Sequence, residues 1–398
     1  MPESPEESLL IGVDGGATEV KAHEVVLLSP RSAAAREGFA LALGPASASI
    51  LYERARGFRP VPMPAQLLAL ERGEPAPGGL EGAQARLWIE AAARAIASVA
   101  EQRGRTRALV GMCMPGLKTA DGRGLAVVRQ GPRIPGYLDR LEAALHELGI
   151  ELAQPVTRLA GDGEACARGE VADAQGALRG LHSAYYVGGG TGIAEALLIE
   201  GRVLGFDALA GFVRKAWQMD ATGGRIVEDL LSPRGMNAAW AASTGKRLPL
   251  AAEDHPERRA LAGDARAAGI LTDAAEALAG LVLDRMSALR RGFQGAVRIT
   301  PNTFLERVVI GQRLGALFAD PELSEVFREP AEHALARRIL GTGDGALRKH
   351  YLAGTSLRPD LLAGSLLRAA PAIGAVSMEL EVQRERAPPR LAAPWDPA

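Results

Sequence analysis

Two glycine-rich turns, far apart in the chain, constrain its fold more than any other feature. Residues 8–13 (SLLIGV) form a short apolar run that ends at Asp14-Gly15-Gly16-Ala17-Thr18, and a second run over 20–28 returns. Much later, residues 183–187 (SAYYV) lead into Gly188-Gly189-Gly190-Thr191-Gly192, and Ile193–Ile199 returns before turning at Glu200-Gly201. Each pattern predicts a strand, a tight turn and an antiparallel strand. Glycine permits a close backbone approach that a Cβ would forbid, so such turns can aim N–H groups at phosphate oxygens. A third segment, residues 308–315 (VVIGQRLG), is an apolar strand opening into glycines before a helix. Its backbone could lie flat against an adenine and its ribose. Taken alone, the first turn is equally well a plain hairpin with Asp14 capping it.

Composition agrees with a backbone built to approach ligands. Glycine is 47 of 398 residues, against a usual level of roughly 7%. Hydrophobic residues at 47% and charged residues at 23% are ordinary for a globular chain. A formal charge of −1 gives no electrostatic footprint for nucleic acid or an anionic membrane surface, so neither is expected as a partner. Cys113 and Cys166 are too few for a disulfide framework or a four-cysteine metal site, and read as buried thiols. The start (MPESPEES) is acidic, and no apolar run approaches about 18 residues. A soluble, cytoplasmic setting is therefore expected.

Between the turns, apolar periodicity predicts a helix over 88–102, a buried strand over 108–114 ending at Pro115-Gly116, and a helix over 137–148. A strand over 156–160 runs into Gly161-Asp162-Gly163-Glu164, and a helix over 165–171 follows. Residues 59–64 (RPVPMP) predict an extended loop. Farther on come a strong helix over 278–290, a strand over 307–310, and a helix over 363–381 interrupted at Pro371. Strands alternate with helices throughout, which gives an α/β class.

The order IGVDGGATEVK, VTRLAGDGEACARGE, YYVGGGTGIAEALLIEGRVL, ERVVIGQRLG and APAIGAVSMELE resembles the actin-like sugar-kinase superfamily. Within it, the chain is most similar to the ROK family (repressors, open reading frames and sugar kinases). The resemblance implies two ribonuclease-H-like lobes around a central cleft. It places an N-terminal lobe over 1–178, with 371–398 packing back onto it, and a nucleotide-binding lobe over 179–370. It also implies ATP and Mg²⁺, a small-molecule substrate and a homodimer. Asp162 inherits the role of catalytic base, since a carboxylate must accept the proton of the attacking hydroxyl. The bland alternative is that Asp162 only caps its helix. Asp14 would position Mg²⁺, which keeps several of its waters. Gly15, Gly16, Thr18, Lys21 and the run Gly188, Gly189, Gly190, Thr191, Gly192 would hold phosphates, and Gly311, Gln312 and Gly315 the adenosine. Gly116, Gly161, Glu228 and Lys215 fall at the substrate pocket.

Departures from the family pattern are as informative. The sugar-gripping Gly-Glu-x-Gly-His stretch reads Gly211-Phe212-Val213-Arg214-Lys215 here, with Phe212 in place of the Glu and Lys215 in place of a zinc-binding His. The zinc cysteines are absent, and Gly161 stands where an Asn is usual. A pocket built to bond a hydroxyl rejects compounds lacking it, so these losses argue against glucose itself. Lys118, Arg123, Arg129 and Arg133 are cations for an acidic substrate or, more plainly, solvated charges. Three functions follow: a kinase acting on a sugar-like or cyclitol-like hydroxyl, a non-catalytic ligand-binding protein, or an activating ATPase.

Overall fold

A computed structural model describes residues 8–28, 40–74, 78–206, 208–209, 211–295 and 297–386. The described chain divides into two compact units, one of residues 8–28, 40–160 and 372–386, the other of residues 161–371. The division falls at 160/161, whereas the sequence placed it at 178/179; residues 161–178 group with the second unit.

In the first unit, strands Leu9–Gly15, Glu19–Leu27 and Leu41–Leu51 form an antiparallel meander, and Arg107–Cys113 adds parallel to Leu9–Gly15. Two short strands, Glu151–Leu152 and Leu159–Ala160, then pair parallel with Arg107–Cys113. Leu9–Gly15 is buried along most of its length, as a strand covered on both faces must be. Ile11 and Val13 face the helix Gly79–Gln102, where Trp88 and Ile96 complete the core. One residue out of phase, Gly12 lies against the backbone of the helix Ala370–Arg386. A Cβ on Gly12 would come within 2.1 Å of the Ala372 carbonyl oxygen, and one on Gly111 within 2.2 Å of that of Ala375. From that helix the buried Glu379 accepts hydrogen bonds from Gln154 Nε2 (2.8 Å), the Thr157 N–H (2.9 Å) and the Thr157 hydroxyl (2.7 Å). Burial pushes its carboxyl above the usual range.

The second unit repeats the pattern. Ala184–Gly189, Ile193–Ile199 and Arg202–Gly205 form an antiparallel meander, and Arg307–Gly311 and Leu362–Gly364 continue it in parallel. The 27-residue helix Ala265–Arg291 packs Leu271, Leu278 and Val282 with Tyr185, Val187 and Leu197. On the opposite face, Tyr186, Ala196 and Leu198 meet Cys166 and Ala167 of the helix Asp162–Ala172. Both sheets therefore carry the ribonuclease-H-like strand order that the resemblance implied.

Several boundaries differ from the sequence expectation for physical reasons. The meander's third strand, Leu41–Leu51, lies in a Gly/Pro/Ala-rich stretch where periodicity gave no strand. The helix Met63–Glu71 begins inside the expected 59–64 loop, because Pro64 in the first turn needs no donor. Pro371 likewise sits in the first turn of Ala370–Arg386 and opens that helix without interrupting it, while residues 362–364 are a strand. Only Leu159–Ala160 of the expected 156–160 strand pairs, and the following helix starts at Asp162. Among the described residues, no helix is long and apolar enough to cross a membrane.

Candidate active site

The first hairpin pairs Asp14 with Lys21 and Gly15 with Val20. Its turn closes by one hydrogen bond, from the Gly16 N–H to the Glu19 carbonyl at 2.9 Å. The Gly16 amide is thus used inside the turn. Among the described hydrogen bonds, none engages the N–H of Ala17 or Thr18, and Thr18 is exposed. Gly15 has a packing reason: a Cβ there would sit 1.8 Å from the Met114 sulfur. Asp14, half-buried at the strand end, receives the Cys113 thiol at 3.6 Å. Lys21 pairs with Glu19 at 2.8 Å, two residues away on the same face of the strand. The Lys21 ammonium beside Glu19 holds that carboxyl below its usual value, against the opposing effect of burial.

The second hairpin pairs Gly189 with Ile193, and the Gly190 N–H closes its turn onto the Gly192 carbonyl at 3.0 Å. Here too the next two amides, Thr191 and Gly192, make no described hydrogen bond, and Thr191 is exposed. The first turn is held from outside where its Thr18 carbonyl accepts the Tyr52 N–H (2.9 Å), and the second is held at more points. The buried Glu228 accepts the Ile193 N–H (3.1 Å), Arg234 donates its backbone N–H to the Gly190 carbonyl (3.2 Å), and Arg234 Nε donates to the Thr191 carbonyl (2.7 Å). Gly189 lies against Leu314 and Pro233, where a Cβ would come within 2.8 and 3.1 Å.

Gly311 lies beside Gly188 in the parallel register, and the Tyr186 side chain occupies the space both leave. A Cβ on Gly188 or Gly311 would fall 2.8 or 2.2 Å from the Tyr186 hydroxyl oxygen. Burial pushes that hydroxyl well above its usual range. Gly315 is required by packing, since a Cβ would meet the Ile310 carbonyl at 2.3 Å. Gln312, between them, adopts φ +57°, a left-handed conformation that a non-glycine residue holds only when its surroundings fix it. Its Nε2 approaches the buried Cys166 sulfur at 3.4 Å. The glycines of this segment thus serve packing, and Gln312 is its conformationally unusual member.

Asp162 is exposed and opens the helix Asp162–Ala172, whose N-cap is Gly161. The capping alternative therefore changes form: Asp162 stands in the first turn, and its Oδ1 accepts the Gly163 N–H at 2.9 Å. Gly163 seats this turn on the sheet, where a Cβ would be 2.3 Å from the Glu195 carbonyl oxygen. Asp162 and Cys166, which Gln312 approaches, are four residues apart on one helix face. A Cβ on Gly161 would meet nothing within 4 Å, so a larger residue would fit there.

The remaining candidates fall in both units. Gly116 holds φ +97° in the first unit, and Lys118 Nζ donates to its carbonyl at 2.8 Å and to that of Met114 at 2.7 Å. Arg123 bonds Asp139 (2.8 Å) and Glu142 (3.0 Å), and Arg133 bonds Glu81 (3.0 Å). Lys118, Arg123 and Arg133 are thus internal braces. Phe212 stacks on Phe293 at 4.8 Å between centroids. Lys215 donates its N–H to Gln218, and the adjacent Ala216 N–H bonds the buried Glu195 at 2.8 Å. Glu195 also takes the Tyr185 hydroxyl (2.6 Å) and the fully buried Arg285 (2.7 Å), which fixes the loop's position.

Sequence reasoning missed Arg234 at the second turn. Its signal was Ser232-Pro233, an N-cap and first-turn proline that begin a helix there. Among the described residues, no group of three His, Cys, Asp or Glu gathers to hold a metal ion. Asp14 beside an exposed turn suits a hydrated Mg²⁺, which needs only one or two protein carboxylates.

No protein-family model matches the chain, and no curated protein matches it in sequence. Solved structures do. A ROK hexokinase from Thermus thermophilus overlays with a TM-score of 0.55 at 20% identity, covering 94% of this chain and 99% of that one. A ROK-family glucokinase from Streptomyces griseus, solved with glucose and AMPPNP, gives 0.57 at 16%, covering 94% and 100%. A ROK-family transcriptional regulator, a homologue of the E. coli MLC protein, gives 0.54 at 11%, covering 94% and 78%. With its two repeated sheets and glycine hairpins, this chain has the fold of the ROK-family structures, sugar kinases and a regulator alike.

Proposed function

We propose that the protein is an ATP-dependent phosphotransferase acting on a hydroxyl of a small sugar-like or cyclitol-like compound. The observation that carries this reading is the repeated hairpin. In each, a glycine N–H closes the turn and the next two amides, with a threonine hydroxyl, stay available to an anion. Kinase structures of the same fold, one with glucose and AMPPNP, support it.

Each unit has its own part in this reading. In the second, the amides of Thr191 and Gly192 and the Thr191 hydroxyl hold phosphate oxygens, and Gln312 lies toward the nucleoside. Asp162 keeps Oδ2 for the acceptor, because Oδ1 is bonded to Gly163. As the acceptor oxygen bonds the γ-phosphorus and the bond to the β-phosphate oxygen breaks, the hydroxyl proton passes to Asp162. In the first, Ala17, Thr18 and Asp14 form the corresponding set. Asp14 would hold Mg²⁺, which supplies charge neutralisation at the phosphates when bound. The substrate is a compound other than glucose, because Phe212 is packed on Phe293 and Gly161 offers no side chain.

A coupled ADP-release screen across sugars, amino sugars, sugar acids and cyclitols tests the reading. Turnover with at least one compound is expected, and Asp162→Asn should lower kcat by about 10²–10⁴. Silence across the screen, or an unimpaired Asp162→Asn enzyme, overturns it. A second reading, a ligand-binding protein without catalysis, is favoured by the same Phe212 packing and by the regulator of this fold. It is the outcome if calorimetry detects a sugar but no ATP.

A further inference from the structure

Arg234 carries an assignment that rests on the nucleotide reading of the second turn and goes beyond it. Its backbone N–H donates to the Gly190 carbonyl (3.2 Å) and its Nε to the Thr191 carbonyl (2.7 Å). In a trans peptide the C=O and the following N–H point in opposite directions. Holding the carbonyls of 190 and 191 toward Arg234 therefore turns the amides of Thr191 and Gly192 away from it, both to the same side. Two successive N–H groups directed together form an anion-binding concavity. Around them, Glu228 takes the next amide, Ile193, and Gly190 closes onto Gly192. Among the described residues no carboxylate pairs with Arg234, unlike Arg285 with Glu195 or Arg313 with Glu257.

The Arg234 backbone is itself fixed. Ser232 caps the helix Pro233–Thr244 by accepting the Gly235 N–H at 3.1 Å, and Pro233 packs against Gly189. We propose that Arg234 is a positioning residue: through its Nε bond to the Thr191 carbonyl it presets the Thr191 and Gly192 amides for a phosphate of ATP. By this geometry it lies behind the turn, and its charge has no direct contact with the phosphate.

Two variants separate position from charge. Gln places an N–H donor the same number of bonds from the backbone as Arg Nε, without the cation, whereas Met removes the donor and keeps the length. Calorimetric titration with ATP·Mg²⁺ should show Arg234→Met binding about tenfold more weakly than wild type, since the two amides must then be ordered at the moment of binding. Arg234→Gln should stay within about threefold of wild type. Melting temperatures of both should match wild type closely, since the backbone bond and the Ser232 cap remain. Equal weakening in the two variants would assign the effect to charge and overturn the proposal, as would unchanged binding in Arg234→Met. A wild-type protein that binds no ATP is the distinct failure of the nucleotide reading, and removes this inference with it.

Discussion

The two glycine hairpins look alike in sequence, yet they are held in different ways. The first is closed by its own backbone and held at one point from the neighbouring strand, where the Tyr52 N–H meets the Thr18 carbonyl at 2.9 Å; Gly15 lies against Met114 and the Cys113 carbonyl, and Lys21 is paired within its strand. The second is gripped from outside by Arg234, Glu228, Pro233 and Leu314, and Tyr186 fills the gap between Gly188 and Gly311. The difference teaches that a glycine-rich turn is two things at once. Some of its glycines make room for neighbours, and the residues just after them present donors.

That contrast can be broken most forcefully at the glycines. Gly189→Ala drives a Cβ into a helix side chain and a proline ring, and should cost about 2–3 kcal/mol. Gly15→Ala, which must displace a methionine end and press slightly on the Cys113 carbonyl, should cost about 1–2 kcal/mol. Gly190→Ala, with its nearest neighbour at 3.8 Å, should stay within about 0.5 kcal/mol of wild type. Chemical denaturation of the three variants checks this order, and a costly Gly190→Ala would undo the distinction between packing and open glycines.

A smaller effect tests the likeness of the turns. Thr18→Ala and Thr191→Ala each remove one exposed hydroxyl beside two available amides, and each should weaken ATP binding severalfold by calorimetry. A loss confined to one variant would show that only one turn meets the nucleotide.

The smallest expected effect concerns Lys21, which the resemblance placed at the phosphates and the structure pairs with Glu19. Lys21→Ala should change ATP affinity less than about threefold and stability only slightly, as exposed pairs contribute little. The sign with pH is fixed. Glu19 is held below its unfolded value, so its contribution is present above about pH 4.3 and is lost as pH falls through the lowered folded value. Lys21→Ala should flatten that acid limb in a melting series between pH 3 and 6.

Much of the architecture was legible in the sequence. Apolar runs bounded by glycine turns gave the strands of both hairpins to within two residues, because strands covered on both faces read as near-continuous apolar runs. The strand Leu41–Leu51 was not legible, since it forms by pairing with Glu19–Leu27, and its own sequence, with Gly44 and Pro45, carries weak strand propensity. Of the candidate site, the turns, Asp14 and Asp162 could be named from order and residue type. The duties of Gly12, Gly188 and Gly311 could not, because each depends on an atom distant in sequence that would collide with a Cβ.

By itself, then, the sequence determined where backbone turns and which carboxylates stand at strand and helix ends, since those follow from local periodicity and residue chemistry. Only the tertiary structure decided which amides stay available, that Lys21 is paired within its strand, and that Arg234 stands behind the second turn. Hydrogen-bond partners and close contacts are set by residues that meet only after the chain has folded.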